Sequence, residues 1–197
     1  MNIDDSQRIY RNLCVRGADV TVFDYRGYGF STGEAHVMAF RHDALAIYDK
    51  LASSGPVVVF GFSLGTAIAS YVASERHVAG LILAGTIANA QEEFPVFARA
   101  IGYPSSKIAS ITPSEDAIMA FNAIEMIKRS DAPLLMIHGE ADSLVPIQQG
   151  REVFAACPAK QKQFVSVPGA GHNETVDATA TLNAVRAFLA LIPQPSR

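Results

Sequence analysis

The chain has 197 residues, 49% of them hydrophobic and 18% charged, with a formal net charge of −3, which is enough material for one sizeable core and predicts a single domain over residues 1–197. Its charges are scattered without basic runs, so it carries no electrostatic footprint for nucleic acid or an anionic membrane. Because no apolar run approaches about 18 residues and Met1-Asn2-Ile3-Asp4-Asp5 lacks a leader's basic and apolar regions, the expectation is a cytoplasmic protein without an integral membrane segment.

Taken in order, residues 5–16 place Ile9, Tyr10, Leu13 and Cys14 on one face after Asp4 and Asp5, the pattern of an opening helix. Val20-Thr21-Val22-Phe23 predicts a strand over 19–23. The glycine-rich run Asp24 to Glu34 predicts a loop, followed by helical spacing through Phe40, Ala44, Leu45, Tyr48 and Leu51 that Ser53-Ser54-Gly55-Pro56 ends. Val57-Val58-Val59-Phe60 has no polar alternation and predicts a strand over 57–61 buried on both faces. Further strands are expected near 80–84, 133–137 and 163–167, and a last helix from about Glu174 to Leu191, stopped by Pro193. Apolar strands separated by helical segments indicate α/β architecture, a mostly parallel sheet covered on both faces.

Segment 86–131 breaks that rhythm. It is long for a crossover and carries Phe94, Val96, Phe97, Ile101 and Ile108 among prolines, which suggests a small lid whose side chains wall a substrate pocket, with Phe94, Phe97 and Ile101 the candidate lining. An ordinary crossover helix and loop is the plainer alternative. Ser114-Glu115-Asp116 reads as a separate helix start. Cys14 and Cys157 have no metal-ligand spacing and are expected to be free thiols used as small packing residues.

The chemistry concentrates at Gly61-Phe62-Ser63-Leu64-Gly65. A serine between a strand and a small-residue helix sits on a tight turn with its Oγ exposed, and the helix N-terminus behind it offers N–H groups to a developing oxyanion. Such a serine needs a base, itself oriented by a carboxylate. Of the five histidines, His36, His42 and His77 read as surface residues and His138, at the end of a buried strand, as structural. His172 lies in the loop Pro168-Gly169-Ala170-Gly171-His172-Asn173 at the carboxyl end of a strand, where open α/β sheets gather their sites. Past the preceding strand stand two carboxylates, Glu140 and Asp142, with Asp142 in the turn and Glu140 the second choice. Gly27-x-Gly29-x-x-x-Gly33 could be taken for a dinucleotide loop, but no helix opens directly behind it.

From Asp19 to the C-terminus the chain resembles the α/β-hydrolase superfamily, and within it the abhydrolase-domain serine hydrolases related to lysophospholipid lipases and protein depalmitoylases. Four motifs carry the resemblance: Phe23-Asp24-Tyr25-Arg26-Gly27-Tyr28-Gly29-x-Ser31-x-Gly33, Gly61-Phe62-Ser63-Leu64-Gly65, Ile137-His138-Gly139-x-x-Asp142-x-x-Val145-Pro146 and Gly169-x-Gly171-His172-Asn173. It implies Ser63 as nucleophile, His172 as base, Asp142 as orienting acid and Leu64 in the oxyanion hole. It also implies ester or thioester substrates and no metal or organic cofactor, with Asp24 to Gly33 bordering the site as a mainly structural loop. Relative to that family the chain lacks the N-terminal strands, including an interior one between the Val20 and Val57 strands and the loop that supplies a second oxyanion N–H. Either the Val20 strand pairs with the Val57 strand directly, or a gap of about 9.6 Å, two strand spacings, separates them. Two other classes stand beside the serine hydrolase, a non-catalytic fragment acting as an interaction protein and a small-peptide hydrolase.

Overall fold

A computed structural model describes Cys14 and residues 19–100, 102–108 and 113–193. Its sheet has four parallel strands in the order β1 (Val58–Phe62), β2 (Gly80–Ala84), β3 (Leu134–Gly139) and β4 (Lys162–Val167). Helices α1 (Val37–Ala52), α2 (Gly65–Glu75), α3 (Ala90–Ala100), α4 (Ser105–Ile108), α5 (Glu115–Ala120), α6 (Ala123–Ile127), α7 (Ile147–Ala156) and α8 (Thr179–Ala190) connect or flank them. Strand side chains alternate between two cores, as a period of two requires. Leu81, Leu83, Leu134 and Met136 join the core under α1, α2, α6 and α7, whereas Ile82, Ala84, Leu135 and Ile137 join that under α8 with Val185 and Phe188. Helices therefore cover both faces, and β2 and β3 are buried along their whole length. Cys157 packs in the first core, where burial pushes its thiol up, while Cys14 is exposed and so does not serve as a packing residue.

Two expectations fail at the start of the sheet. Residues 19–25 form no strand, and β1 is only half-buried except at Gly61. Both follow from nonlocal pairing: a strand needs a neighbour's ladder, and among the described residues nothing pairs with the outer edge of β1. The 19–25 segment is held by rings instead, Phe23 against Tyr25 and Tyr25 against Phe40 of α1, each at 4.9 Å between centroids. The expected opening helix over 5–16 and any strand drawn from residues 1–18 fall outside the described residues, Cys14 apart.

The glycine loop is built around its own aspartate. Asp24 Oδ2 accepts from Phe30 N at 3.1 Å and Asp24 O from Ser31 Oγ at 2.7 Å, and the Arg26 guanidinium pairs with Asp43 of α1. Gly29, at φ 54°, is required because a side chain there would run into the Asp24 carboxylate. This loop leads to α1 through His36, with no helix start at the glycines, so the dinucleotide reading has no structural counterpart.

The expected final helix is broken. Glu174–Val176 is a single 3₁₀ turn, Ala178 is extended, and α8 starts at Thr179. Thr175 explains the break: its Oγ1 donates to Gly171 O at 2.6 Å and its carbonyl accepts from Thr181 Oγ1, which ties the turn to the preceding loop. The helix start at Ser114 is present, with the Ser114 side chain accepting from Ala117 N at 3.2 Å. Among the described residues no helix is long and apolar enough to cross a membrane.

Candidate active site

Only Ser63 and Leu64 lie between β1 and α2, so they make the turn. Ser63 has φ 54°, a positive value that no other non-glycine residue shares among those described; it costs about 1–2 kcal/mol. Neighbouring backbone holds it there. Ser63 N donates to Ala84 O at 3.0 Å, and Thr66 N and Oγ1 both donate to Ser63 O, at 2.9 and 2.6 Å. Of the two flanking glycines, only the first is demanded by packing. A Cβ at Gly61 would stand 2.6 Å from Gly65 O and 2.8 Å from Ala69 Cβ, whereas one at Gly65 would meet nothing within 4 Å. Gly61→Ala is accordingly expected to cost about 1–3 kcal/mol in urea denaturation as α2 is pushed off β1.

Asp142 and His172 come together at the ends of β3 and β4. The buried Asp142 carboxylate accepts from Leu144 N at 3.0 Å and Val145 N at 2.7 Å through Oδ1, and from His172 Nδ1 at 2.7 Å through Oδ2. Those two backbone donors aim Oδ2 at the imidazole. Glu140 is exposed and makes no contact of this kind; its backbone N donates to Val167 O. The His172 loop can lie on β3 because residue 139 is glycine: a Cβ there would meet the carbonyls of Ala170 and Gly171 and the Thr175 hydroxyl. The imidazole itself packs on the Phe62 ring, 4.9 Å between centroids, and a Cβ at Gly85 would lie 3.0 Å from its Cε1. Gly85 follows Ala84, whose carbonyl holds Ser63 N, so ring and serine flank the same short stretch of chain. No hydrogen bond joins Ser63 Oγ to His172 in this state of the site. A serine hydroxyl turns about χ1, and such bonds commonly tighten only when substrate is bound.

His138, read as structural, is fully buried, with Nε2 donating to Val145 O at 2.8 Å and 3.6 Å from Asp142 Oδ2. Burial lowers its pKa, and among the described residues its Nδ1 has no hydrogen-bond partner. The unfolded chain thus binds a proton near pH 6.5 that the native state refuses, so stability falls as pH drops through that value. Denaturation from pH 7 to 5 should show the native chain losing stability relative to His138→Gln, which keeps a donor for Val145 without titrating. His36 and His42 are exposed, and the His77 carbonyl accepts from Tyr48 Oη at 2.8 Å. Among the described residues no group of three or more His, Cys, Asp or Glu could hold a metal.

A pocket of about 60 Å³ adjoins the serine, lined by Ser63, Leu64, Ile87, Glu93, Phe94, Phe121 and Leu144. Phe94 is in this lining, its ring 6.2 Å from that of Phe121. The side chain of Phe97 and all of Ile101 lie outside the described residues. None of the loop 24–33 is in this lining. The reading along the chain missed Ile87, Glu93, Phe121 and Leu144; of these Leu144 alone had a signal, its place two residues beyond Asp142. A larger open cleft of about 520 Å³, lined by residues such as Asn89, Ile118 and Glu125, contains none of the residues singled out by motif.

Comparison with known proteins bears on both fold and family. The chain is 33% identical over 180 residues to an uncharacterized protein of Mycobacterium tuberculosis and 34% identical over 171 residues to the lysophosphatidylserine lipase ABHD12 of Macaca fascicularis. These matches take in 88% and 80% of this chain but only 60% and 42% of the relatives, so the chain spans about half the length of the proteins it resembles. Among solved structures, a monoacylglycerol lipase of Paleococcus ferrophilus superposes with a TM-score of 0.67 at 17% identity, covering 95% of this chain and 90% of that one. The esterase domain of a Rhodothermus marinus protein gives 0.65 at 19%, covering 95% and 80%. Identities this low speak for the fold alone. Residues 115–178 match the family described as serine aminopeptidase, S33. Residues 3–105, more than half the chain and including the Ser63 turn, match the family described as alpha/beta hydrolase fold, and the parallel sheet with its strand–serine–helix turn agrees, so the chain belongs to the α/β hydrolase family.

Proposed function

We propose that the chain is a serine hydrolase of carboxylic esters or thioesters. The observation that carries this reading is the 2.7 Å bond from His172 Nδ1 to Asp142 Oδ2 beside the strained Ser63 turn. With its proton on Nδ1, the imidazole keeps Nε2 free to act as base. Ser63 Oγ attacks the acyl carbon as its proton passes to Nε2. The tetrahedral oxyanion is met by Leu64 N–H at the start of α2; the alcohol or thiol then leaves with the proton from Nε2. Water, activated by the same nitrogen, cleaves the acyl-serine and frees the acid. This scheme uses no metal or organic cofactor. The similarity to a lysophosphatidylserine lipase supports the substrate class.

Covalent labelling by a fluorophosphonate, located by peptide mass spectrometry, tests the nucleophile: modification of Ser63 supports the reading, and a chain that stays unlabelled overturns it. The small apolar pocket gives a second expectation, with segment 86–131 contributing part of its wall as a lid. Across p-nitrophenyl acetate, butyrate, octanoate and palmitate, kcat/KM should rise a few-fold per added CH₂ to a maximum at butyrate or octanoate, at about 0.8 kcal/mol per buried methylene. A rate that is flat or highest on acetate would show that these side chains do not receive the acyl group.

A further inference from the structure

Two buried polar side chains lie outside the proposed chemistry, Glu93 in the pocket lining and Gln149 bonded to it. Glu93, in the first turn of α3, is 4% exposed, and Gln149, in the first turn of α7, is 7% exposed. A short relay links them to the backbone: Ala88 N donates to Gln149 Oε1 at 2.9 Å, and Gln149 Nε2 donates to Glu93 Oε2 at 2.8 Å. The orientation is forced. Ala88 N–H can only donate, so the Gln149 oxygen must face it and the amide nitrogen must face Glu93. One oxygen of Glu93 is thereby committed as an acceptor, while Oε1 has no hydrogen-bond partner among the described residues. Apart from Ser63 and Glu93, the lining is apolar: Leu64, Ile87, Phe94, Phe121 and Leu144.

Because Glu93 lines the pocket, that oxygen is left for whatever enters the pocket to satisfy. Burial pushes the Glu93 pKa up, with the Asp142 charge acting in the same sense, while the Gln149 bond and His172 act against it. A neutral Glu93 carries its proton on Oε1, and an ionised one presents a lone oxygen there. In both forms a hydroxyl on the substrate can satisfy that atom, and an ammonium can satisfy the ionised form with charge assistance. A hydrocarbon chain satisfies neither.

We propose that Glu93 is a specificity-determining residue of the Ser63 pocket, selecting esters that carry a hydrogen-bond donor, a hydroxyl or an ammonium, on the part that enters the pocket. This rests on the pocket being the hydrolase site proposed above. Gln149 is a positioning residue that holds the carboxyl in place. A site that hydrogen-bonds a substrate donor discriminates against the analogue without it far more strongly than an apolar wall discriminates by one methylene.

The test measures binding separately from turnover. In a Ser63→Ala chain, calorimetry compares 2-hydroxyethyl butyrate with propyl butyrate, protonated 2-(dimethylamino)ethyl butyrate with 3-methylbutyl butyrate, and methyl 6-hydroxyhexanoate with methyl heptanoate. The donor-bearing member of at least one pair is expected to bind about 10-fold tighter or more, and adding Glu93→Leu should abolish that preference. Glu93→Gln separates the donors: a hydroxyl preference survives it, and an ammonium preference is lost. Equal affinities in every pair, binding of no member, or a preference that persists in Glu93→Leu would each overturn the assignment. Turnover of the same esters by the native chain is read alongside. Absent turnover with the preference intact overturns the hydrolase reading alone, and turnover without preference overturns the role of Glu93 alone.

Discussion

Replacing Ser63 with alanine should lower kcat/KM on p-nitrophenyl butyrate by about 10⁴-fold or more, the scale on which removing a serine nucleophile acts elsewhere. The loss belongs in kcat, because alanine leaves the pocket wall intact. Stability supplies a separate readout of the same turn. At φ 54° alanine is as strained as serine, so Ser63→Ala keeps the cost of the conformation, whereas Ser63→Gly relieves it. The glycine variant is therefore expected to exceed the alanine variant by about 1 kcal/mol in urea denaturation. Turnover within tenfold of the native value in Ser63→Ala would remove Ser63 from the reaction. Equal stability of the two variants would mean that the turn is not strained in solution.

Local demands were legible in the chain, and nonlocal ones were not. A short apolar run, Ser63 and the small residues of α2 specify strand, turn and helix within a few positions, and the structure repeats them nearly residue for residue. Asp142 and His172 could be singled out because each stands past the carboxyl end of an expected strand; the parallel sheet β1-β2-β3-β4 then sets those ends side by side. Val20-Thr21-Val22-Phe23 has strand composition, yet pairing depends on a ladder partner that composition does not specify. The helix break at Asp177 and Ala178 escaped notice for a related reason, since the tie from Thr175 to Gly171 competes with helical spacing that otherwise runs unbroken. Glu93 gave least warning. On its own helix it reads as a solvated charge, and only α7, 56 residues on, supplies the amide that makes it a buried group of the pocket.

The orienting carboxylate has the second large effect. In Asp142→Asn the side-chain oxygen can still accept from Leu144 and Val145 N–H, which leaves the new amide facing His172. Two donors cannot face each other across 2.7 Å, so the imidazole gives up its Nδ1 proton and takes one on Nε2. In that tautomer Nε2 cannot accept the Ser63 proton, and kcat should fall about 10³- to 10⁴-fold with little change in KM. The fluorophosphonate labelling rate should fall with it, because it draws on the same base. The fold should survive: Asn is isosteric and removes a buried charge, so near-UV circular dichroism should be unchanged. Glu140→Gln is the companion measurement. Glu140 is exposed and apart from His172, so its substitution should leave kcat/KM within about threefold of the native value, in keeping with the small effects of surface changes. Should Glu140→Gln instead show the greater loss, the carboxylate that acts in solution is not the one bonded to His172 here, and the loop after β3 must rearrange when substrate binds.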